Sequence, residues 1–183
     1  MIIGITGTLG AGKGTVVEYL KKKGYKHYSV REFLLKQIRK LGLPENRDSM
    51  VMVANDLRKK YSPSYIAEEL YKEAEKADGN CVIESLRAPR EVEALKNKDR
   101  FYLLAVDAEL KIRFERIKKR NSETDAVNFE EFVENEQREM NSTDPTKPNI
   151  SRCMTMADFV IDNNGSFDEL YAKIDEILEK ICV

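Results

Sequence analysis

The chain has 183 residues, 42% hydrophobic and 34% charged, and its 31 Lys and Arg against 32 Asp and Glu leave a net charge of −1. This length suits one domain with its own core, and the composition is that of a folded soluble chain and not a disordered one. So balanced a charge gives no field that would draw nucleic acid or an anionic membrane. Cys81, Cys153 and Cys182 are widely spaced and odd in number, and His27 is the only histidine. That pattern points to reduced thiols in a cytosolic protein without a zinc cluster, and no apolar run reaches the length of a membrane span.

Short apolar runs alternate with longer helical patterns, which predicts an α/β fold with a mostly parallel sheet. Strands are expected near 2–5, 26–28, 81–84, 101–106 and 159–162. The first, third and fourth are nearly unbroken apolar runs, as in strands covered on both faces. Helices are expected over 13–23, 30–41, 49–60, 63–76, 89–96, 109–120, 129–140 and 167–181. The stretch 141–150, rich in Ser, Thr, Asp and Pro, reads as a loop within the domain.

The first strand leads into Gly7-Thr8-Leu9-Gly10-Ala11-Gly12-Lys13-Gly14-Thr15, and a helical pattern follows at once. Strand, glycine loop and helix are the context of a phosphate-binding loop. Glycines let the backbone wrap an anion with its N–H groups inward, and the helix start adds partial positive charge. Gly7, Gly10, Ala11, Gly12, Lys13, Gly14 and Thr15 are therefore candidate nucleotide-binding residues, with Lys13 reaching the β- and γ-phosphates. Gly14 separates Lys13 from Thr15, one place off the strict motif. Thr15 then either touches Mg²⁺ directly or serves the α-phosphate while waters carry the metal.

Further along, Ser29 and Glu32 form a capping box opening the second helix, and Arg31 lies between them. Arg47 and Arg58 fall among the helices between the second and third strands, with Asn55 and Asp56 beside the latter. Val82-Ile83-Glu84-Ser85-Leu86-Arg87 ends the third strand at the edge where open α/β sheets bind ligands. On the sixth helix Leu110, Phe114 and Ile117 share a core face. Arg113, Arg116 and Arg120 share an adjoining face at spacings of three and four, suited to charge on a transferring phosphoryl group or to a solvated face. Arg138 is a weaker candidate for the same cluster. The chain closes with Ala157-Asp158-Phe159-Val160-Ile161-Asp162-Asn163-Asn164-Gly165-Ser166. The capped last helix follows, and its stripe of Phe167, Leu170, Tyr171, Ile174, Ile177, Leu178 and Ile181 reads as core.

Taken together, the GKGT loop ending, the Glu84–Arg87 segment and the Asp162–Ser166 stretch resemble the nucleoside monophosphate kinase superfamily. The likeness is closest to archaeal-type adenylate kinase-like proteins and dephospho-CoA kinases. The resemblance implies a three-layer α/β/α P-loop fold with a five-stranded parallel sheet in the order 2-3-1-4-5. It implies one domain over 1–183, with acceptor-binding helices at about 30–76 and a lid at about 116–145. It also implies ATP and Mg²⁺ as cofactors and phosphoryl transfer to a small acceptor, a nucleoside monophosphate or dephospho-CoA. Lys13, Arg87, Arg116 and Arg120 would act on the transferring group, and Glu84, with Thr15, would hold the metal's shell. Ser29, Arg31, Arg47, Arg58 and Arg87 would meet the acceptor, while Asn163 and Gly165 would flank the adenine. An ATP-dependent switch is the alternative of another class.

Overall fold

Isoleucine, valine and leucine dominate the inner strands because both of their faces are covered. In the computed structural model, which describes residues 1–120, 128–142, 144 and 147–181, five strands form one parallel sheet. They are β1 (Ile2–Gly7), β2 (Lys26–Ser29), β3 (Cys81–Glu84), β4 (Phe101–Asp107) and β5 (Phe159–Asp162), in the order β2-β3-β1-β4-β5. Central β1 sets Ile2 against Cys81 and Phe101, and Ile5 against Glu84 and Leu104. The expected strand order holds.

Nine helices are described: α1 (Lys13–Lys22), α2 (Val30–Lys40), α3 (Arg47–Lys60), α4 (Tyr65–Glu75), α5 (Pro89–Lys96), α6 (Leu110–Arg120), α7 (Phe129–Met140), α8 (Ile150–Thr155) and α9 (Phe167–Ile181). Alternation along the strands divides the core in two. Ile2, Ile83 and Leu103 pack with Phe33 and Ile38 of α2, Leu70 of α4 and Val92 of α5. Ile3, Ile5, Val82 and Leu104 pack with Val16 and Leu20 of α1 and Ile174 of α9. These are the two outer layers of an α/β/α arrangement.

Two differences from the sequence reading have local causes. Helix α8 begins where the irregular stretch was expected to end. Asn149 caps it, accepting from the Arg152 amide at 3.0 Å, and two buried residues, Ile150 and Cys153, anchor it. A six-residue helix carries too little periodicity to be read in advance. In α9 the core stripe begins at Leu170, because Phe167, at the helix start, is 67% exposed. Cys182 lies outside the described residues. Burial pushes the Cys153 thiol up to about 12, which makes it inert at neutral pH. Among the described residues no helix is long and apolar enough to cross a membrane.

Candidate functional site

The carboxyl ends of β1 and β3 open into a cavity of about 800 Å³, floored by Gly10, Gly12, Lys13, Gly14 and Thr15. Gly10 and Gly12 have φ of +79° and +98°, a left-handed backbone that side chains disfavour. A Cβ on Gly12 would also strike the Asn163 amide. Gly14 differs: a Cβ there would meet no protein atom within 4 Å, so the space over it belongs to the cavity. Helix α1 starts at Lys13, and the Thr15 and Val16 amides already donate to the Gly12 carbonyl at 2.9 and 3.2 Å, so it is the leading amides of Lys13 and Gly14 that remain for an anion.

The loop is braced from three sides. The Thr8 hydroxyl donates to Asp107 at the end of β4 at 2.6 Å. The Asn163 amide, at the end of β5, donates to the Ala11 carbonyl at 2.7 Å. Arg113 of α6 donates to the Leu9 carbonyl at 3.1 Å and to the Ala108 carbonyl at 2.7 Å. Arg113 is itself buried, and its guanidinium takes both oxygens of Glu136 on α7, at 2.6 and 2.9 Å. Gly165 lines the cavity rim beside Ser166 and Phe167.

The lining is cationic. Lys13, Arg31, Arg87, Arg116 and Arg120 face it, with Glu84 as the one lining carboxylate among the described residues. Lys13 Nζ donates to the carbonyls of Gly7 and Thr8 at 2.9 and 2.7 Å. Burial first, and then the Arg87 guanidinium, lower its pKa to about 8. On Arg116, Nη1 is buried without a hydrogen-bond partner among the described residues. Such an atom is costly unless an anion meets it. Arg87 Nη1 holds both oxygens of Glu139, at 3.1 and 3.0 Å.

Glu84 ends β3, and its Oε1 lies 3.4 Å from His27 Nε2 on neighbouring β2. That contact holds the Glu84 carboxyl below the usual carboxylate range. The following residue, Ser85, has φ of +69°. The chain thus keeps at this corner a left-handed turn that glycine would enter without strain. Mg²⁺ is usually bound through one or two carboxylates, its waters and substrate phosphates, not by an all-protein cage. One ionised carboxylate facing a phosphate loop fits that requirement.

Not every expected residue reaches the cavity. Ser29 caps α2 through its hydroxyl and sits opposite Glu84 in the sheet, but does not line the space. Arg58 donates to buried Glu91 at 3.0 Å, and the other oxygen of Glu91 accepts from the Arg87 amide at 3.0 Å. Arg58 thus stands behind Arg87 and does not itself line the cavity. Arg47 opens α3, but its side chain lies outside the described residues, as do 121–127 of the expected lid. Asn55 and Asp56 are exposed away from the cavity, and Arg138 pairs with Glu134 on its own helix. Asp107, Glu136, Glu139 and Phe167 are site residues that the sequence did not single out. The spacing of Glu136 and Glu139, three apart on α7, was the one signal available for that pair.

Comparison with known proteins bears on this geometry. A family described as AAA domain matches residues 3–141. A UPF0200 protein of Methanocaldococcus jannaschii is 32% identical over 184 residues, covering 99% of this chain and 90% of the relative. A UPF0200 protein of Pyrococcus horikoshii is 29% identical over 187 residues, covering 99% and 97%. The crystal structure of shikimate kinase from Bacteroides thetaiotaomicron superposes with a TM-score of 0.61 at 12% identity, covering 98% of each chain. The fold is that of the small P-loop kinases.

Proposed function

From a chain that belongs to the AAA domain family and to the UPF0200 family, we propose an ATP-dependent phosphotransferase whose acceptor already carries a phosphate, most simply a nucleoside monophosphate. The observation that carries this reading is the charge of the cavity, lined by five cationic side chains against the carboxylate of Glu84, with Glu139 beside them on Arg87, among the described residues. That excess is more than a magnesium-neutralised triphosphate needs. A phosphate monoester supplies a further charge of about −1.5 to −2.

In this reading the first-turn amides of α1 and Lys13 hold the donor's phosphates. Glu84 accepts hydrogen bonds from the waters around Mg²⁺, which when bound would neutralise charge on the β- and γ-phosphates. Arg87 and Arg31 hold the acceptor phosphate. One of that phosphate's oxygens, already ionised, attacks the γ-phosphorus; the bond from that phosphorus to the β–γ bridging oxygen breaks, and ADP leaves. No proton has to be removed, so no general base is required. Arg116 and Arg120 act on the transferring group, where positioning and charge carry most of the catalysis. The domain would divide as the sequence suggests, with acceptor helices at about 30–76 and a lid at about 116–145.

A second reading is a hydroxyl acceptor bearing a carboxylate, as shikimate does. It is favoured by Arg87, which already binds a carboxylate in Glu139. The test is ADP release and product analysis with ATP, Mg²⁺ and a panel of (d)NMPs, dephospho-CoA and shikimate. We expect stimulation by at least one monophosphate, abolished in Lys13→Ala. Stimulation by shikimate or dephospho-CoA alone would replace the leading reading, and ATP hydrolysis unaffected by any acceptor would indicate a switch.

A further inference from the structure

Phe167 is an anomaly in an otherwise buried stripe. It is 67% exposed, yet it lines the same cavity as Gly12, Lys13, Gly14 and Thr15. It is also the last rung of an aromatic ladder. Tyr19 of α1 and Tyr171 of α9 stack with centroids 4.1 Å apart and planes 6° from parallel. Tyr171 in turn stacks with Phe167 at 6.3 Å and 22°. The outer end of the ladder is fixed, since Asp175 accepts from the Tyr19 hydroxyl at 2.8 Å and pairs with Lys23 at 2.8 Å, while Lys23 lies over the Tyr19 ring.

The polar side chains around this rung are already engaged. The Asn163 amide donates to Ala11. The Asn164 side-chain oxygen accepts from the Glu109 amide at 2.7 Å. The Ser166 hydroxyl accepts from the Glu169 amide at the start of α9. Each of these contacts turns one polar atom of the neighbouring side chains to the fold, although Asn163 and Ser166 still line the cavity. Beside them the Phe167 ring adds an aromatic plane to the lining.

We propose that Phe167 is the platform on which the base of the donor nucleotide stacks, as the next plane of the Tyr19–Tyr171–Phe167 ladder. A base held by its face and not by its edge is read without regard to its hydrogen-bonding pattern. The donor site therefore takes purine triphosphates as a class, ATP and GTP alike. This deepens, and rests on, the nucleotide reading of the cavity given above.

The test measures dissociation constants for ATP, GTP and inorganic tripolyphosphate by calorimetry on wild type, Phe167→Ala and Phe167→Trp. In the wild type ATP and GTP should bind within about threefold of each other, and more tightly than tripolyphosphate. Phe167→Ala should weaken both nucleotides roughly five- to 150-fold, the range of one lost base–aromatic stack. Its tripolyphosphate affinity should be unchanged, which also reports an intact fold. Phe167→Trp should restore nucleotide binding and, in a chain with no other tryptophan, give fluorescence quenched by ATP and GTP but not by tripolyphosphate. Unchanged nucleotide affinity in Phe167→Ala overturns the platform and leaves the phosphate site standing. Strong wild-type preference for one purine overturns the class-wide reading. Failure of the wild type to bind either nucleotide or tripolyphosphate overturns the nucleotide site together with the platform.

Discussion

The carboxylate of Glu139 lies on Nη1 of Arg87, with its oxygens at 3.0 and 3.1 Å. Both side chains are substantially exposed, at 31% and 42%, so the pair is worth only about 0–1 kcal/mol. The helix that carries Glu139 is held one turn earlier by the buried Arg113–Glu136 pair. Glu139 can therefore swing away without moving α7. It acts as an internal competitor for the anion that Arg87 would take from an acceptor. Glu139→Gln should lower the acceptor KM by up to about fivefold and leave the ATP KM unchanged. A rise in acceptor KM would show instead that Glu139 aligns the guanidinium.

Arg113 holds α6, α7 and the phosphate loop through four hydrogen bonds. Removing it strands the Glu136 carboxylate in a buried place, which costs about 3–5 kcal/mol. Arg113→Met should lose that much stability in urea unfolding. The double variant Arg113→Met, Glu136→Leu should regain much of it, since no charge is then left alone. Equal losses in the single and double variants would mean that the carbonyls of Leu9 and Ala108 matter more than the ion pair.

Lys13 strains the fold it serves. Its pKa falls from 10.5 to about 8, through burial first and then Arg87. Between about pH 8 and 10.5 the unfolded chain holds a proton on this amine that the folded chain has released, so stability rises with pH through that window. Below pH 8 the full cost of the buried charge is present, on the order of 3 kcal/mol. Lys13→Met should accordingly abolish phosphoryl transfer yet stabilise the protein at pH 7. The gain should shrink toward zero as pH approaches 10.5. A variant less stable than wild type at pH 7 would contradict this.

Ser85 sits at φ +69° immediately after Glu84. A left-handed backbone costs a residue with a Cβ roughly 1–2 kcal/mol, and glycine escapes it at the expense of greater freedom in the unfolded chain. Ser85→Gly should raise the thermal midpoint by a few degrees, with a net gain of about 0.5–1 kcal/mol. Activity should be retained, because the Glu84 carboxylate keeps its approach. A fall in stability would show that the serine side chain contributes more than its backbone strain removes.

The strands were legible because the inner ones are unbroken apolar runs and because the glycine loop marks β1 and α1 without ambiguity, whereas their order came from the family resemblance that the loop carries. The positions of Lys13, Glu84 and Arg87 followed from topology, which gathers strand ends and the first turn of α1 at one edge, and those of Arg116 and Arg120 from their spacing on α6. What escaped was the division of labour among arginines. Arg113, Arg116 and Arg120 share a helical face, but burial separates them, and burial depends on a partner 23 residues away. Arg58 was likewise indistinguishable from a ligand-binding arginine until Glu91 appeared behind it. Phe167 misled in the opposite sense, since periodicity counts an aromatic at the head of an apolar stripe as core whether or not it is covered.

The hydrogen bond from Asn163 to the Ala11 carbonyl spans 152 positions of the chain. During synthesis the phosphate loop is made long before the amide that steadies it. A nascent chain that has made β1 and α1 therefore carries the glycine motif without its finished shape. If the cavity takes ATP as proposed, chains cut off before β5 should retain none on a filter, whereas chains that include it should, so that loading with ligand records the docking of that strand.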